Sequence, residues 1–452
     1  MIFAKKALLA RGWADNVRLT AEQGVITSIE PKSKAKAGDV LVDTLLPAPG
    51  NVHSHTFQRA MAGMTEARAG GRDSFWTWRD LMYRFLDRLT PEQIEAIAAL
   101  AFVEMLEAGF ASVGEFHYVH HQRGGAPYAD AAELSNRIFA AASVTGIGLT
   151  HLPVLYTYGG AGQTALADGQ LRFGNNVDGF LALADRVRAN LSHLPADARI
   201  GIAPHSLRAT SPGDLAAVLA ARQTGPVHIH VAEQPKEVED IQAWLSARPV
   251  QWLLDNANVD ANWCMIHATH MSENETLRLA ASGAVAGLCP ITEANLGDGP
   301  FNGPAFLNAG GAFGVGTDSN VQISLTGELR MLEYSQRLRD LSRNVMAVDE
   351  GSVGSTLYLG AARGSAKALA RSAGEINIGL LADLAAIDSS APALCALSRD
   401  QLLDGLVFAA KDNVVTDVWS AGRHVVQSGR HVDRDRIVSG YRAAMKALLA
   451  SV

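Results

Sequence analysis

Cysteine is scarce in this chain: three residues in 452, Cys264, Cys289 and Cys395, none at the short spacing of a metal knuckle or a redox pair. That excludes a disulfide framework, fits a reducing compartment, and makes buried free thiols the expectation. An apolar run long enough to cross a bilayer is also missing. The opening Met1-Ile2-Phe3-Ala4-Lys5-Lys6 carries early charge in place of the apolar core of a signal peptide, so a cytoplasmic protein is expected. Excess positive charge is absent too. The formal charge is −7, with 39 Lys and Arg scattered rather than striped among 46 Asp and Glu, which leaves no electrostatic footprint for nucleic acid. What remains is an ordinary composition, 48% hydrophobic and 19% charged, in a chain too long for one core. One large domain with a smaller companion is expected.

The two ends share a texture. Val17-Arg18-Leu19 and Val25-Ile26-Thr27-Ser28-Ile29 are separated by Glu22-Gln23-Gly24 and followed by Pro31-Lys32-Ser33, which is hairpin punctuation. Residues 374–388, 414–419 and 423–429 again alternate short apolar runs with Gly turns. Between the ends, strand-like and helical runs take turns. Thr90-Pro91-Glu92-Gln93 supplies an N-cap, a first-turn proline and a capping-box glutamine ahead of an apolar pattern through Leu106, closed by Gly109. Strand-like runs follow at 146–155, 200–203, 227–231, 264–266, 284–288 and 312–316, with helical stretches such as 235–247 and 272–281 between them. This many βα units predict an α/β fold whose parallel sheet closes as a (β/α)8 TIM-type barrel.

Reactive side chains gather where these runs end. His53 and His55 follow the run to Val52, and their spacing of two sends both imidazoles to one side of an extended segment. His205 and Arg208 follow Ala203. His228 and His230 lie on the run 227–231, which leads to Glu233. His267 and His270 follow Ile266, and Thr317-Asp318 follows Gly316. A single histidine of this kind is more often a packed or surface residue. Five successive strand ends bearing such groups point instead to the C-terminal mouth of a barrel, where barrel enzymes place their chemistry.

Pro49-Gly50-Asn51-Val52-His53-Ser54-His55, His230-Val231-Ala232-Glu233, His267-Ala268-Thr269-His270 and Gly316-Thr317-Asp318 resemble the strand-end motifs of the amidohydrolase superfamily, in the deaminase branch that binds a single zinc. The resemblance spans nearly the whole chain, because that branch also builds a small β-sandwich domain from both termini, and Gly374 to Leu384 is similar to its return into that sandwich. It implies a composite β-sandwich of residues 1–47 and 373–452 and a metal-dependent barrel over residues 48–372. It implies that His53, His55, His230 and Asp318 hold one Zn2+ per subunit, with Asp318 also part of the catalytic set. Glu233 matches the family's proton shuttle and His267 the histidine that assists water activation. Three neutral imidazoles and one carboxylate suit zinc, and water in such a shell titrates near about 7. Other superfamily members hold two metals through a carboxylated lysine near the fourth strand; residues 200–206 contain no lysine, so one metal is expected. His228 is expected to pack or to orient a ligand, and His270 to be structural. The reaction implied is hydrolytic release of ammonia from a C=N carbon, and the assembly implied is a homodimer.

Nucleobase and adenosyl-type deaminases of this branch carry a Ser-His-Asn-Pro-x-Ser-Asn stretch after the seventh strand, where this chain has Cys289-Pro290-Ile291-Thr292-Glu293-Ala294-Asn295-Leu296-Gly297-Asp298-Gly299. That run, with residues 56–63, 75–84 and 204–209, resembles branch members that deiminate a linear amidine bearing two carboxylates. Such a small-molecule dicarboxylate needs cationic and donor partners. Arg208 and Arg79 are the candidates, with Gln58, Tyr118 and His205 as further donors and Arg59 and Arg84 as neighbours left open. A guanine-like or other amidine ring is the alternative substrate, with less use for two arginines. The alternative of another class is a zinc-stabilised barrel that binds without turnover; such a protein has no need of Glu233 and His267.

Overall fold

A computed structural model of the chain describes residues 1–66, 75–348 and 350–450, with only the backbone of residues 75–77. Seventeen strands occur among the described residues. Ile2–Leu9, Gly12–Glu22, Val25–Glu30 and Val40–Pro47 are β1 to β4; Gly50–Ser54, Ser112–His117, Gly148–Leu155, Arg199–Ile200 and Ala203–Pro204 are β5 to β9. Val227–Val231, Trp263–His267, Val285–Leu288 and Ala312–Val315 are β10 to β13; Leu384–Ile387, Val415–Ser420, Arg423–Gln427 and Arg430–His431 are β14 to β17.

Strands β5 to β13 make the barrel. Parallel pairing runs β5-β6-β7-β8, with β9 continuing beside β7, and then β10-β11-β12-β13. Two isolated parallel bridges join these arcs: Ile202 with Val227, and Ser54 with Asp318. The second closure carries the site. The N–H of His55 donates to the Asp318 carbonyl at 3.0 Å, and the N–H of Asp318 donates to the His53 carbonyl at 2.9 Å. Gly316 makes it possible, since a Cβ there would lie 2.7 Å from the His53 nitrogen. The expected fourth strand is split around Gly201, whose own N–H bonds the His151 carbonyl while a Cβ would sit 2.3 Å from the Pro226 oxygen. The expected start of the third run, Gly146, is the left-handed cap of helix Glu133–Thr145, so β7 begins two residues later. The helix Pro91–Glu107 starts with the full capping box at Thr90 and Gln93 and a proline in its first turn. Inside the barrel Val52, Cys264, Ile266, Val285 and Cys289 pack with Ala368. Cys264 and Cys289 are buried as expected, whereas Cys395 is exposed.

Both termini meet in one sheet, ordered β17-β16-β15-β14-β4-β1-β2-β3 and antiparallel except for β1 with β4. Its outer strand is tied back: Ile26 bonds Leu380 and Gly379, and Ala382 bonds Gly24, so residues 379–382 join β3 to the lead-in of β14. The sheet therefore curls over its own core of Val17, Leu19, Ile26, Leu45, Leu384 and Trp419. Buried Arg371 pins this sheet to the barrel by pairing with Asp383 at 2.9 Å and Asp197 at 3.1 Å. The C-terminal stretch also holds two helices, Asp400–Phe408 and Arg434–Ala450, which the strand-and-turn texture of that region did not announce. The latter lies against Pro91–Glu107. We propose the domain division at 47/48 and 372/373, with both helices assigned to the terminal unit by chain position. Among the described residues no helix is long and apolar enough to cross a membrane.

Candidate metal centre and active site

Four side chains converge at the barrel mouth. The Nε2 atom of His53 lies 3.2 Å from that of His55 and 3.1 Å from that of His230, and the Asp318 Oδ1 lies 3.3 Å from His53 and 3.4 Å from His55. Tautomers explain why this cluster is incomplete by itself. His55 donates through Nδ1 to the Phe116 carbonyl at 3.0 Å, and His230 through Nδ1 to the His205 carbonyl at 3.1 Å. Their Nε2 atoms are then bare lone pairs. They face one another across the Nε2 of His53 and beside a carboxylate oxygen, acceptors that repel one another unless a cation stands among them. A tetrahedral zinc with bonds of about 2.0–2.1 Å sets its ligands about 3.3–3.4 Å apart, which matches these separations. His53, His55, His230 and Asp318 thus form a group able to hold a metal ion.

Electrostatics agree with that chemistry. Burial holds His53 in the neutral, ligating form, down to about 3, and lowers His55 and His230 as well. Asp318 is buried, which works to raise it, but its hydrogen bond with His53 and the positive charge of His267 help keep it below the ordinary carboxylate range. Four non-glycine residues at these strand ends have left-handed backbone: Ala232 (φ 52°), His267 (69°), Ala268 (50°) and Asp318 (44°). Such strain at successive strand ends is the mark of a site whose side-chain directions outweigh backbone preference.

Beside the cluster stand Glu233 and His267. The His267 Nε2 lies 3.8 Å from Glu233 Oε1 and 3.9 Å from Asp318 Oδ2, while its Nδ1 faces Glu293 Oε1 at 3.3 Å. Burial opposes the charged form of His267, yet Glu233, the Glu293 hydrogen bond and Asp318 outweigh it and raise the imidazole to about 10. Glu233 is raised, chiefly by burial. Its Oε2 accepts from Nη2 of Arg208 at 3.1 Å.

A cavity opens over these groups. His55, His230, Glu233, His267 and Asp318 form its floor; Gln58, Arg79, Tyr118, His205 and Arg208 lie on its wall. All the residues expected to bind substrate are therefore brought together. Gln58 donates to the Tyr118 hydroxyl at 3.0 Å and leaves its buried Oε1 without a hydrogen bond. Trp78, Met82, Tyr83, Tyr156, Phe173 and Leu296 complete an aromatic and apolar lining. The side chain of Trp76, in the stretch expected to wall the site, lies outside the described residues. Arg59 is turned away, spent on Glu104 at 2.7 Å. His228 bonds the Ala368 carbonyl at 2.8 Å, and neither it nor His270 reaches the cavity.

Sequence reasoning missed several supporting residues. Asn51 accepts from the N–H groups of Thr317 and His53 and donates to the Thr317 hydroxyl at 2.6 Å, locking the first strand to the last. Glu293 holds both His267 and the N–H of Cys289. Glu237 accepts from the N–H of Glu233 at 3.1 Å. Asn51 and Glu293 lay inside quoted motifs, and Glu237 stands one helical turn past Glu233; a buried polar residue at such a place was the available signal.

A family model described as "Amidohydrolase family" matches residues 44–425, and one described as "Formimidoylglutamate deiminase HutF, N-terminal domain" matches residues 1–43. A formimidoylglutamate deiminase of Pseudomonas aeruginosa is 49% identical over 451 residues, 99% of each chain. The crystal structure of an amidohydrolase from Brucella melitensis superposes with a TM-score of 0.94 at 48% identity, covering 99% of both chains. An adenosine deaminase from Xanthomonas campestris, solved with bound zinc, shares the fold at a TM-score of 0.81 and 22% identity over 99% of this chain and 98% of its own.

Proposed function

This chain belongs to the amidohydrolase family, a metal-dependent one, and from that premise we propose that it hydrolyses N-formimidoyl-L-glutamate to N-formyl-L-glutamate and ammonia, a step of histidine degradation. The observation that carries the reading inside the molecule is one cavity wall: two arginines, Arg79 and Arg208, face the same space as the buried acceptor cluster. A guanine-like ring has no carboxylates for them, which is why that alternative is not favoured.

His53, His55, His230 and Asp318 are the residues we assign to hold one Zn2+, whose donor set of three neutral imidazoles and a carboxylate suits that ion. When bound, the cation supplies Lewis acidity that activates a water near neutral pH. Glu233 takes the first proton of that water and passes it to the amidine nitrogen, a general base that becomes a general acid; the second proton leaves the attacking oxygen through Asp318 as the formyl C=O forms and the nitrogen departs as ammonia. His267, held by Glu293, steadies the attacking oxygen through Nε2. Asp318, charged at rest, orients the imidazoles around it and accepts the proton that the attacking oxygen gives up. Arg79 and Arg208 bind the two carboxylates, the fork of a guanidinium matching a carboxylate. His205 and Tyr118 add donors, and Gln58 offers its unpaired Oε1 to an N–H of the amidine. The aromatic lining excludes bulk water from the polar floor.

The test is ammonia release from N-formimidoyl-L-glutamate, N-formimidoyl-L-aspartate and guanine by protein of measured metal content. Preference for the glutamate derivative supports the reading, and guanine turnover alone would overturn it. We place the enzyme in the cytoplasm and expect a homodimer, which light scattering checks.

A further inference from the structure

Arg208 is engaged by two carboxylates of the protein itself. Its Nη2 donates to Oε2 of Glu233 at 3.1 Å, and its Nε lies 3.6 Å from Oε2 of Glu237. That same Glu237 oxygen accepts the backbone N–H of Glu233 at 3.1 Å. Glu237 is fully buried and does not line the cavity. One enclosed guanidinium therefore serves two carboxylates, and one of them belongs to the side chain assigned to proton transfer.

Resting on the functional reading above, we propose that Arg208 and Glu237 form a substrate-released clamp on Glu233, with Glu237 as its positioning residue. A third carboxylate brought to a single buried guanidinium is repelled by those already there, so it binds well only if one of them leaves. Glu237 is the less free to go. It sits in the first turn of helix Pro235–Leu245, where the helix dipole favours a negative charge, and it is tied to the Glu233 backbone. Among the described residues the Glu233 carboxylate accepts one hydrogen bond, from Arg208, and its side-chain torsions let it turn once that bond is given up. When a substrate carboxylate takes the guanidinium, Glu233 is released toward the reacting carbon while Glu237 keeps Arg208 in place. Recognition of the carboxylate is then read in turnover as well as in affinity. An amidine without that carboxylate leaves Glu233 clamped.

Metal-loaded full-length protein is assayed with N-formimidoyl-L-glutamate and with two analogues, N-formimidoyl-4-aminobutyrate, which lacks the carboxylate beside the amidine, and N-formimidoyl-2-aminobutyrate, which lacks the distal one. For one analogue the wild-type kcat is expected to fall by about tenfold or more, beyond any rise in KM. Arg208→Met is expected to raise kcat on that analogue severalfold above wild type while raising KM for the full substrate. An arginine that only binds carboxylate would leave the analogue's kcat unchanged, and that result overturns the clamp. Glu237→Gln retains an acceptor for the Glu233 N–H but removes a charge from Arg208; kcat on the full substrate should drop by about tenfold with KM nearly constant. Unchanged kcat removes Glu237 from the device. Wild type that releases no ammonia from N-formimidoyl-L-glutamate sinks the functional reading instead, and the clamp is then read directly from a crystal grown with L-glutamate. Arg208 on a ligand carboxylate with Glu233 turned away supports it. An intact Arg208–Glu233 pair beside the ligand, or a cavity without glutamate, overturns it.

Discussion

Two buried histidine clusters stand in this barrel, and among the described residues only one has the makings of a metal site. The Nε2 atoms of His55 and His230 lie 3.2 and 3.1 Å from that of His53, and the Asp318 carboxylate joins them. His117, His120 and His151 are as deeply buried, yet among the described residues their nitrogens form no such convergent group with a carboxylate. Two of the latter are engaged elsewhere: His120 bonds the Val154 carbonyl at 2.9 Å and His151 the Ser135 hydroxyl at 3.0 Å. Burial lowers the basicity of both sets, so neutrality does not separate them. Convergence does. A cation needs lone pairs aimed at one point, with their ring protons occupied elsewhere.

The comparison breaks most visibly at the metal ligands. His230→Ala should abolish turnover and leave the protein unable to retain zinc through dialysis, as measured by elemental analysis, while His151→Gln keeps its metal. A zinc-replete His230→Ala protein would remove that residue from the shell. Next in size, Glu233→Gln should retain zinc and lose about 10²–10⁴ in kcat, the usual worth of a positioned acid or base. A wild-type rate in that variant would exclude Glu233 from proton transfer. Arg208→Met should raise KM for the dicarboxylate by roughly tenfold to a hundredfold at constant zinc content, as expected for about 1.5–3 kcal/mol of charge-assisted hydrogen bonding. An unchanged KM would mean that Arg208 holds no carboxylate.

The smallest effect concerns acid. His151 folds with a value near 3 against an ordinary 6.5, because burial disfavours its charged form. A lowered value means that the unfolded chain binds the extra proton, so this stability is complete above 6.5 and drains away as pH falls toward 3. His151→Gln should therefore flatten the acid limb of the unfolding curve while leaving metal content untouched; an unaltered limb would show that His151 is not the group being protonated.

Much of this was legible in the chain. The spacing of His53 and His55, the capping box at Thr90 and Gln93, and the βα alternation all report on one neighbour or one helical turn, and local geometry obeys them. The resemblance of the strand-end motifs pointed to the four residues that the fold gathers into a group able to hold a metal ion. The two C-terminal helices were less legible, because short Gly-punctuated strands on either side dominated the pattern of that region. So was the hold of Arg208 on Glu233, 25 residues away.

The sequence alone determined which chemistry stands at which strand end, since the alternation of side chains along a strand is a property of the backbone. Only the tertiary structure decided what those groups do to one another. Closing the barrel through Gly316 sets Asp318 beside His53 across 265 positions of chain, and folding Pro235–Leu245 against the mouth sets Glu237 beneath Arg208. Contacts of that kind depend on barrel register and on which buried charges share one small volume, and no local pattern of residues encodes either.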